Sequence, residues 1–296
     1  MRHRAPPFAV LSRRAALSGG LALAACGRKP EAAGPPKTTA KVMTLEEAVV
    51  GAWRTPADKA RDVWRHPVQS LEFWGLKPGQ TVVEFWPGSG WYTDILAPYL
   101  KATGGKLYAA NLEVNDPADP AATKVVDAYR RRLEAAPKTY GEVAITAFGP
   151  TAGPVAPPAS ADLVLFLRNL HNWMAAGVAE KAFRDAFAAL KPGGKLGIEE
   201  HRAPPGGVQD ALAENGYVQE AYAEQLAREA GFVQEAKSEI NANPKDTHDH
   251  PFGVWTLPPV RRSSPRGQPD DPAFDHAKYD AIGESDRMTL RFAKPA

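Results

Sequence analysis

Thr81–Leu100 reads TVVEFWPGSGWYTDILAPYL, and its interpretation decides the fold. An apolar run ends in an acid at Glu84, passes through a glycine-bearing turn at Gly88, Ser89 and Gly90, and opens an amphipathic helix. Strand, tight turn and helix in that order let backbone approach a nucleotide-like ligand closely.

Outward from that stretch, strand-like and helical patterns alternate. Apolar runs fall at Thr81–Phe85, Lys106–Asn111, Glu142–Thr146, Asp162–Leu167, Lys195–Glu200, Phe232–Ile240 and Arg287–Ala293. Helical periodicity fills the gaps at Trp91–Leu100, Pro120–Ala136, Val178–Leu190 and Tyr217–Ala230. This alternation predicts an α/β fold with a doubly wound, mostly parallel seven-stranded sheet. Ahead of it, Thr44-Leu45-Glu46-Glu47 reads as a capping box, and Pro56–Arg65 and Val68–Trp74 read as further N-terminal helices. The apolar faces of these helices are the simplest places for Trp53, Trp64 and Trp74. A long Pro-rich insertion, residues 241–286, separates the last two strands. Ligands of such sheets bind beyond the carboxyl ends of the strands.

Composition excludes little but is useful. The 296 residues carry a formal net charge of +2 with 24% charged residues, so there is no electrostatic case for nucleic acid. Arg2, Arg4, Arg13 and Arg14 precede the small apolar segment Ala15–Ala25 and the single cysteine, Cys26. That segment is too short for a permanent membrane span and suits a signal-peptide core. Leu23-Ala24-Ala25-Cys26 resembles the bacterial lipobox, which implies lipidation of Cys26, and Ser12-Arg13-Arg14 with Leu17 resembles a twin-arginine export signal. The expected organisation is a signal peptide at 1–26, a flexible tether at 27–43 and one domain at 44–296. The protein is expected on the periplasmic side, touching membrane only through its lipid. A lone cysteine allows no intramolecular disulfide and no thiolate metal cluster.

Three segments carry a family resemblance. VVEFWPGSG (82–90), DLVLFLRNLHNW (162–173) and LKPGGKLGIEEH (190–201) lie in the order and spacing of class I S-adenosylmethionine-dependent methyltransferases. The resemblance spans about residues 45–296 and is nearest to a bacterial subgroup of exported, predicted methyltransferases. It implies a Rossmann-like methyltransferase fold, S-adenosylmethionine as cofactor and a small-molecule acceptor. Glu84 then matches the acid of the first motif, and Gly88, Ser89 and Gly90 its turn. Trp86 stands where the family usually has its first glycine, placed to narrow the pocket or stack on a flat group. The acid expected after the second strand is replaced by Asn111, with Glu113 two residues on. An amide lacks the bidentate grip of a carboxylate on a ribose diol.

Beyond the fourth strand, Arg168, Asn169, Asn172 and Trp173 form an expected substrate wall. His171 and, after the fifth strand, His201 are candidate bases, since methyl transfer needs positioning and often proton removal. Arg168 either binds a carboxylate or phosphate of the substrate or pairs with Glu199 or Glu200. His248 and His250 bracket Asp249 on a loop that would either cover the substrate or bind metal, and no metal is expected there. Three other readings stay open. A nicotinamide dinucleotide fits less well, because Thr93 takes the third glycine position of G-x-G-x-x-G. A non-catalytic ligand-binding lipoprotein is favoured by the scarcity of S-adenosylmethionine outside the cytoplasm. A hydrolase or metal enzyme would be built on the histidines.

Overall fold

Val82 and Val83 are neighbours in the chain and belong to different hydrophobic cores. Successive strand residues point to opposite faces, and helices cover both sides of this sheet, so both must be apolar. The same alternation sends Leu163, Leu165 and Leu167 to one side, and Val164 and Phe166 to the other.

The computed structural model describes residues 42–114 and 120–296. The signal segment, the lipidation reading at Cys26 and nearly all of the tether lie outside the described residues. Four short helices come first: α1 (Leu45–Val49), α2 (Pro56–Lys59), α3 (Asp62–Arg65) and α4 (Pro67–Phe73). The capping box at α1 is present in both halves, Thr44 accepting from the Glu47 amide and Glu47 from the Thr44 amide. Then follow β1 (Thr81–Phe85), α5 (Thr93–Thr103), β2 (Lys106–Leu112), α6 (Pro120–Ala135), α7 (Pro137–Tyr140), β3 (Val143–Phe148) and β4 (Ala161–Leu167). The remainder comprises α8 (Leu170–Ala175), α9 (Ala179–Ala189), β5 (Leu190–His201), α10 (Glu220–Glu229), β6 (Val233–Ser238), α11 (Ala277–Asp280) and β7 (Arg287–Ala293).

The seven strands run in the order β3-β2-β1-β4-β5-β7-β6. Pairings among β1 to β5 are parallel, while β7 lies antiparallel to both β5 and β6. The carboxyl ends of β1, β2, β4 and β5 therefore share one edge, and the order reverses between β1 and β4, where such sheets open a crevice. Trp74 is fully buried against one sheet face, whereas Trp53 and Trp64 are only half-buried.

Two local readings are revised. The helix expected from Tyr217 begins at Glu220, because Val218 forms a β-bridge with Arg202. The residues after β4, expected as a strand end, coil into α8. The Glu200 carboxyl, from β5, accepts the His171 backbone N–H at that helix start, a cap that local sequence does not announce.

Candidate functional site

At the carboxyl edge, two non-glycine residues sit in the left-handed region: Trp86 after β1 (φ +41°) and Arg168 after β4 (φ +58°). Such backbone is costly for a side-chain-bearing residue and persists only when neighbours hold it. Here the Trp86 amide donates to Ala110 O (2.8 Å) and the Arg168 amide to Glu199 O (2.7 Å). Asn169 ties the two turns together, its Nδ2 donating to Trp86 O (3.0 Å) and Phe85 O (3.2 Å). Asn169, expected in the substrate wall, thus clamps the β1 turn.

The turn itself is open. Gly88 has φ +59°, and a Cβ built there would meet nothing within 4 Å. Gly90, at φ +88°, is buried and close to Tyr129 and Arg132, while Ser89 is exposed. The Trp86 indole donates to Phe148 O (2.9 Å) and lies against the Phe148 and Trp173 rings. Trp173 is fully buried among Phe85, Phe148 and Phe166, so it is a core residue rather than part of a substrate wall. Helical spacing explains this: Leu170, Trp173 and Met174 share the inward face of α8 and Asn172 the outward one. Glu113 accepts the Thr151 amide (2.9 Å) and its hydroxyl. Asn111 is buried at the end of β2, with its Oδ1 accepting the Leu112 amide and its Nδ2 without a partner among the described residues. An unpaired buried amide nitrogen costs about 1–3 kcal/mol, which a ligand hydroxyl would offset.

Glu84, at 2% exposure, accepts from the Thr93 hydroxyl at 2.6 Å. Burial pushes its carboxyl up to about 7, against the opposing pull of the Thr93 hydrogen bond. A carboxyl raised in the fold is neutral and stabilising below the unfolded value of 4.5, and that stability is lost as pH rises from 4.5 through 7. The cost of ionising it there is about 3 kcal/mol. Glu84→Gln is therefore expected to melt like the parent at pH 4 and several degrees higher at pH 8. Identical differences in melting temperature at both values would refute the assignment.

The second half of the site is a cavity of about 250 Å³ at the ends of β4 and β5. Arg168, His171, Asn172 and His201 line it. Val254, Trp255, Pro258, Pro259 and Val260 of the long insertion cover it, and Arg61 and Arg65 enter from the N-terminal helices. The His171 and His201 rings are 5.2 Å apart, centre to centre. His171 Nδ1 lies 2.9 Å from Glu200 Oε1, an oxygen that also accepts the His201 amide at 2.8 Å. An oxygen already accepting there makes Nδ1 the donor, so Nε2 keeps the lone pair. His201 Nδ1 is 2.5 Å from Ser285 Oγ. Burial, then His171 and the cations Arg287 and Arg168, hold the His201 imidazole well below its ordinary range, hence neutral at physiological pH.

Behind the cavity runs an ion-pair network. Arg168 and Arg287 share Glu199, at 3.0 and 3.1 Å, and Tyr92 donates to the same carboxylate. Arg61, Arg65 and Arg287 share Glu284. Of the two sequence alternatives for Arg168, the pairing with Glu199 is present, and the side chain still faces the cavity.

His171, Glu200 and His201 each offer a ligand-type atom within 4.8 Å of the others. Glu200 Oε1 already accepts two hydrogen bonds, however, and three guanidinium groups share the space. The other histidine loop makes internal contacts. His250 Nε2 meets Asp246 Oδ1 at 2.7 Å, fully buried, and His248 Nε2 lies 3.7 Å from Asp286 Oδ2. That loop braces the insertion, while residues 254–260 form the cover.

Sequence reasoning missed Arg61, Arg65, Trp255, Glu284 and Ser285. Arg61 and Arg65 meet Glu284 across more than 200 residues of chain, so no local pattern marks them.

No protein-family model matches the chain, and no curated protein matches it in sequence. Solved structures do. The [4+2]-cyclase SpnF is 14% identical, with a TM-score of 0.54 over 84% of this chain and 85% of that one. Phosphoethanolamine N-methyltransferase 2 of Haemonchus contortus, in complex with S-adenosyl-L-methionine, is 14% identical with a TM-score of 0.50. It matches over 86% of this chain, which spans 61% of its length. A methyltransferase from Aquifex aeolicus, named as S-adenosylmethionine-dependent, is 16% identical with a TM-score of 0.49 over 67% of this chain and 94% of that one. At such identities the likeness is one of fold, and the chain has the seven-stranded Rossmann-like methyltransferase fold. That fold also serves a protein named as a cyclase, so chemistry must be argued from the site.

Proposed function

We propose that this chain is an S-adenosylmethionine-dependent methyltransferase acting on a small molecule held in the cavity that Arg168, His171, His201 and Trp255 line. The observation that carries the reading is spatial. An open glycine turn, an unpartnered buried amide and an oriented His–Glu pair lie on one carboxyl edge of the sheet. The residues present fit the cofactor. Gly88 leaves room for close backbone approach, Asn111 Nδ2, unpaired among the described residues, offers a donor for a ribose hydroxyl, and Glu84 stands near the end of β1. Glu113 is committed to Thr151 and would support the loop rather than grip the ribose.

When bound, the cofactor would supply a methyl group on a sulfonium, whose carbon–sulfur bond breaks as the acceptor's nucleophile bonds the carbon in line, with S-adenosylhomocysteine as the leaving thioether. The protein's part is to orient the acceptor and remove its proton. His171 Nε2 faces the cavity as acceptor, and Glu200 stabilises the imidazolium that forms when the proton arrives. His201, neutral beside it, can accept a second hydrogen bond from the acceptor. The cavity lies below the usual 300–1,000 Å³ of ligand sites, in keeping with a small acceptor. The lipobox around Cys26 supports an exported, membrane-tethered form of the same enzyme.

Calorimetry on the purified protein tests the cofactor. S-adenosylmethionine and S-adenosylhomocysteine are expected to bind with micromolar dissociation constants, and Asn111→Ala to weaken both about tenfold through loss of one hydrogen bond. Absence of binding at millimolar ligand would end the methyltransferase reading.

A further inference from the structure

We propose that the cavity at the ends of β4 and β5 recognises an oxyanion, a carboxylate or phosphate, through Arg61, Arg65 and Arg168. That this group belongs to the methyl acceptor rests on the reading above; the anion site itself does not.

The first argument is donor supply. Arg61 and Arg65 each use only Nε in binding Glu284, and Arg168 uses one terminal nitrogen for Glu199. Both terminal nitrogens of Arg61 and Arg65, and Nε and one terminal nitrogen of Arg168, have no hydrogen-bond partner among the described residues. Arg65 is 4% exposed and its guanidinium lies over the Trp91 ring at 4.7 Å, so the side chain is held in place rather than trailing in solvent. Guanidinium edges match planar carboxylate and phosphate oxygens in pairs.

The second argument is charge. Arg61, Arg65, Arg168 and Arg287 share two carboxylates, Glu199 and Glu284. The third nearby carboxyl, Glu200, meets only neutral groups, the His171 imidazole and the His201 amide, so it offsets one cation and leaves an excess of one. A cationic excess in so small and covered a space is costly until an anion enters it. The cover explains what surrounds the rest of the ligand. Val254, Trp255, Pro258 and Pro259 add apolar lining to the same cavity. A small molecule with one anionic end and a nucleophile near His171 satisfies both sides.

The test titrates the full-length protein with inorganic phosphate and, separately, acetate, at ionic strength held constant with chloride. The His171 and His201 imidazole resonances are followed by NMR. Saturable shifts of both are expected, and the tighter probe identifies phosphate or carboxylate as the group recognised. Arg61→Gln, at a half-buried position, is expected to weaken binding about tenfold. Arg184→Gln, on the outer face of α9, is expected to change nothing. No saturable shift with either anion, or equal affinity in Arg61→Gln, would overturn the proposal. Calorimetry with S-adenosylhomocysteine on the same sample separates the two readings. Cofactor binding without anion binding sinks the oxyanion site alone, and anion binding without cofactor binding sinks the methyltransferase alone. Displacement of S-adenosylhomocysteine by the anion would assign the arginines to the cofactor's own carboxylate and overturn their role toward the acceptor.

Discussion

Replacing His171 with alanine is expected to lower methyl transfer by roughly 10²–10⁴-fold, the range for loss of a positioned base. Binding of S-adenosylhomocysteine should stay within about twofold, because no contact of His171 reaches the β1 turn. The measurement is S-adenosylhomocysteine release with a small anionic acceptor. Glu200→Gln is the companion variant. Its amide presents either an acceptor or a donor to Nδ1, so the imidazole loses its enforced tautomer and the stabilisation of its cationic form. The rate should fall, and the acid limb of its pH profile, where the base takes up its proton, should move to lower pH as the imidazolium is weakened. Unchanged turnover in His171→Ala would remove this residue from the chemistry and leave His201 as the candidate. A lower rate in Glu200→Gln with an unmoved pH profile would assign Glu200 to capping α8 only.

Asp246→Ala should cost roughly 3–5 kcal/mol of unfolding free energy, the largest stability effect expected in the insertion. Its fully buried carboxyl accepts from the Tyr217 hydroxyl at 2.9 Å, the His248 amide at 3.0 Å and the Asp286 amide at 2.7 Å, and meets His250 Nε2 at 2.7 Å. Removing one side chain leaves several buried polar groups unpaired at once, which is why the cost exceeds that of one hydrogen bond. Equilibrium denaturation in urea measures it. A loss below about 1 kcal/mol would mean that water enters and replaces those bonds. Because Asp286 directly follows Glu284 and Ser285, which line the cavity, the variant should also blunt anion binding.

Much of this was legible in the chain because its causes are local. β1 and β7 occupy the expected residues, since alternating apolar side chains are needed where both sheet faces are covered. The Gly88 turn was legible because an open approach to backbone needs a residue without a side chain there. His171 and His201 were legible as residues just past strand ends, and the structure brings them together. Other readings failed for equally physical reasons. Trp173 looked like a pocket wall because a strand end and a helix start were not distinguished, and helical spacing turned it inward. The loop of His248 and His250 was read as a substrate cover, but the insertion residues that line the cavity are Val254, Trp255 and Pro258 to Val260, while Asp286 and Asp246 meet the two histidines.

By itself, then, the sequence determined a mostly parallel seven-stranded sheet, the succession of strands and helices along the chain, and the turn at the end of β1. These depend on periodicity and on backbone freedom over a few residues. Only the tertiary structure decided the character of the acceptor cavity. Arg61 and Arg65 reach Glu284 from the far end of the chain, Glu200 orients His171 from the next strand, and Trp255 closes over both. Side chains separated by tens to hundreds of residues acquire a shared charge and shape only when folding removes the water between them.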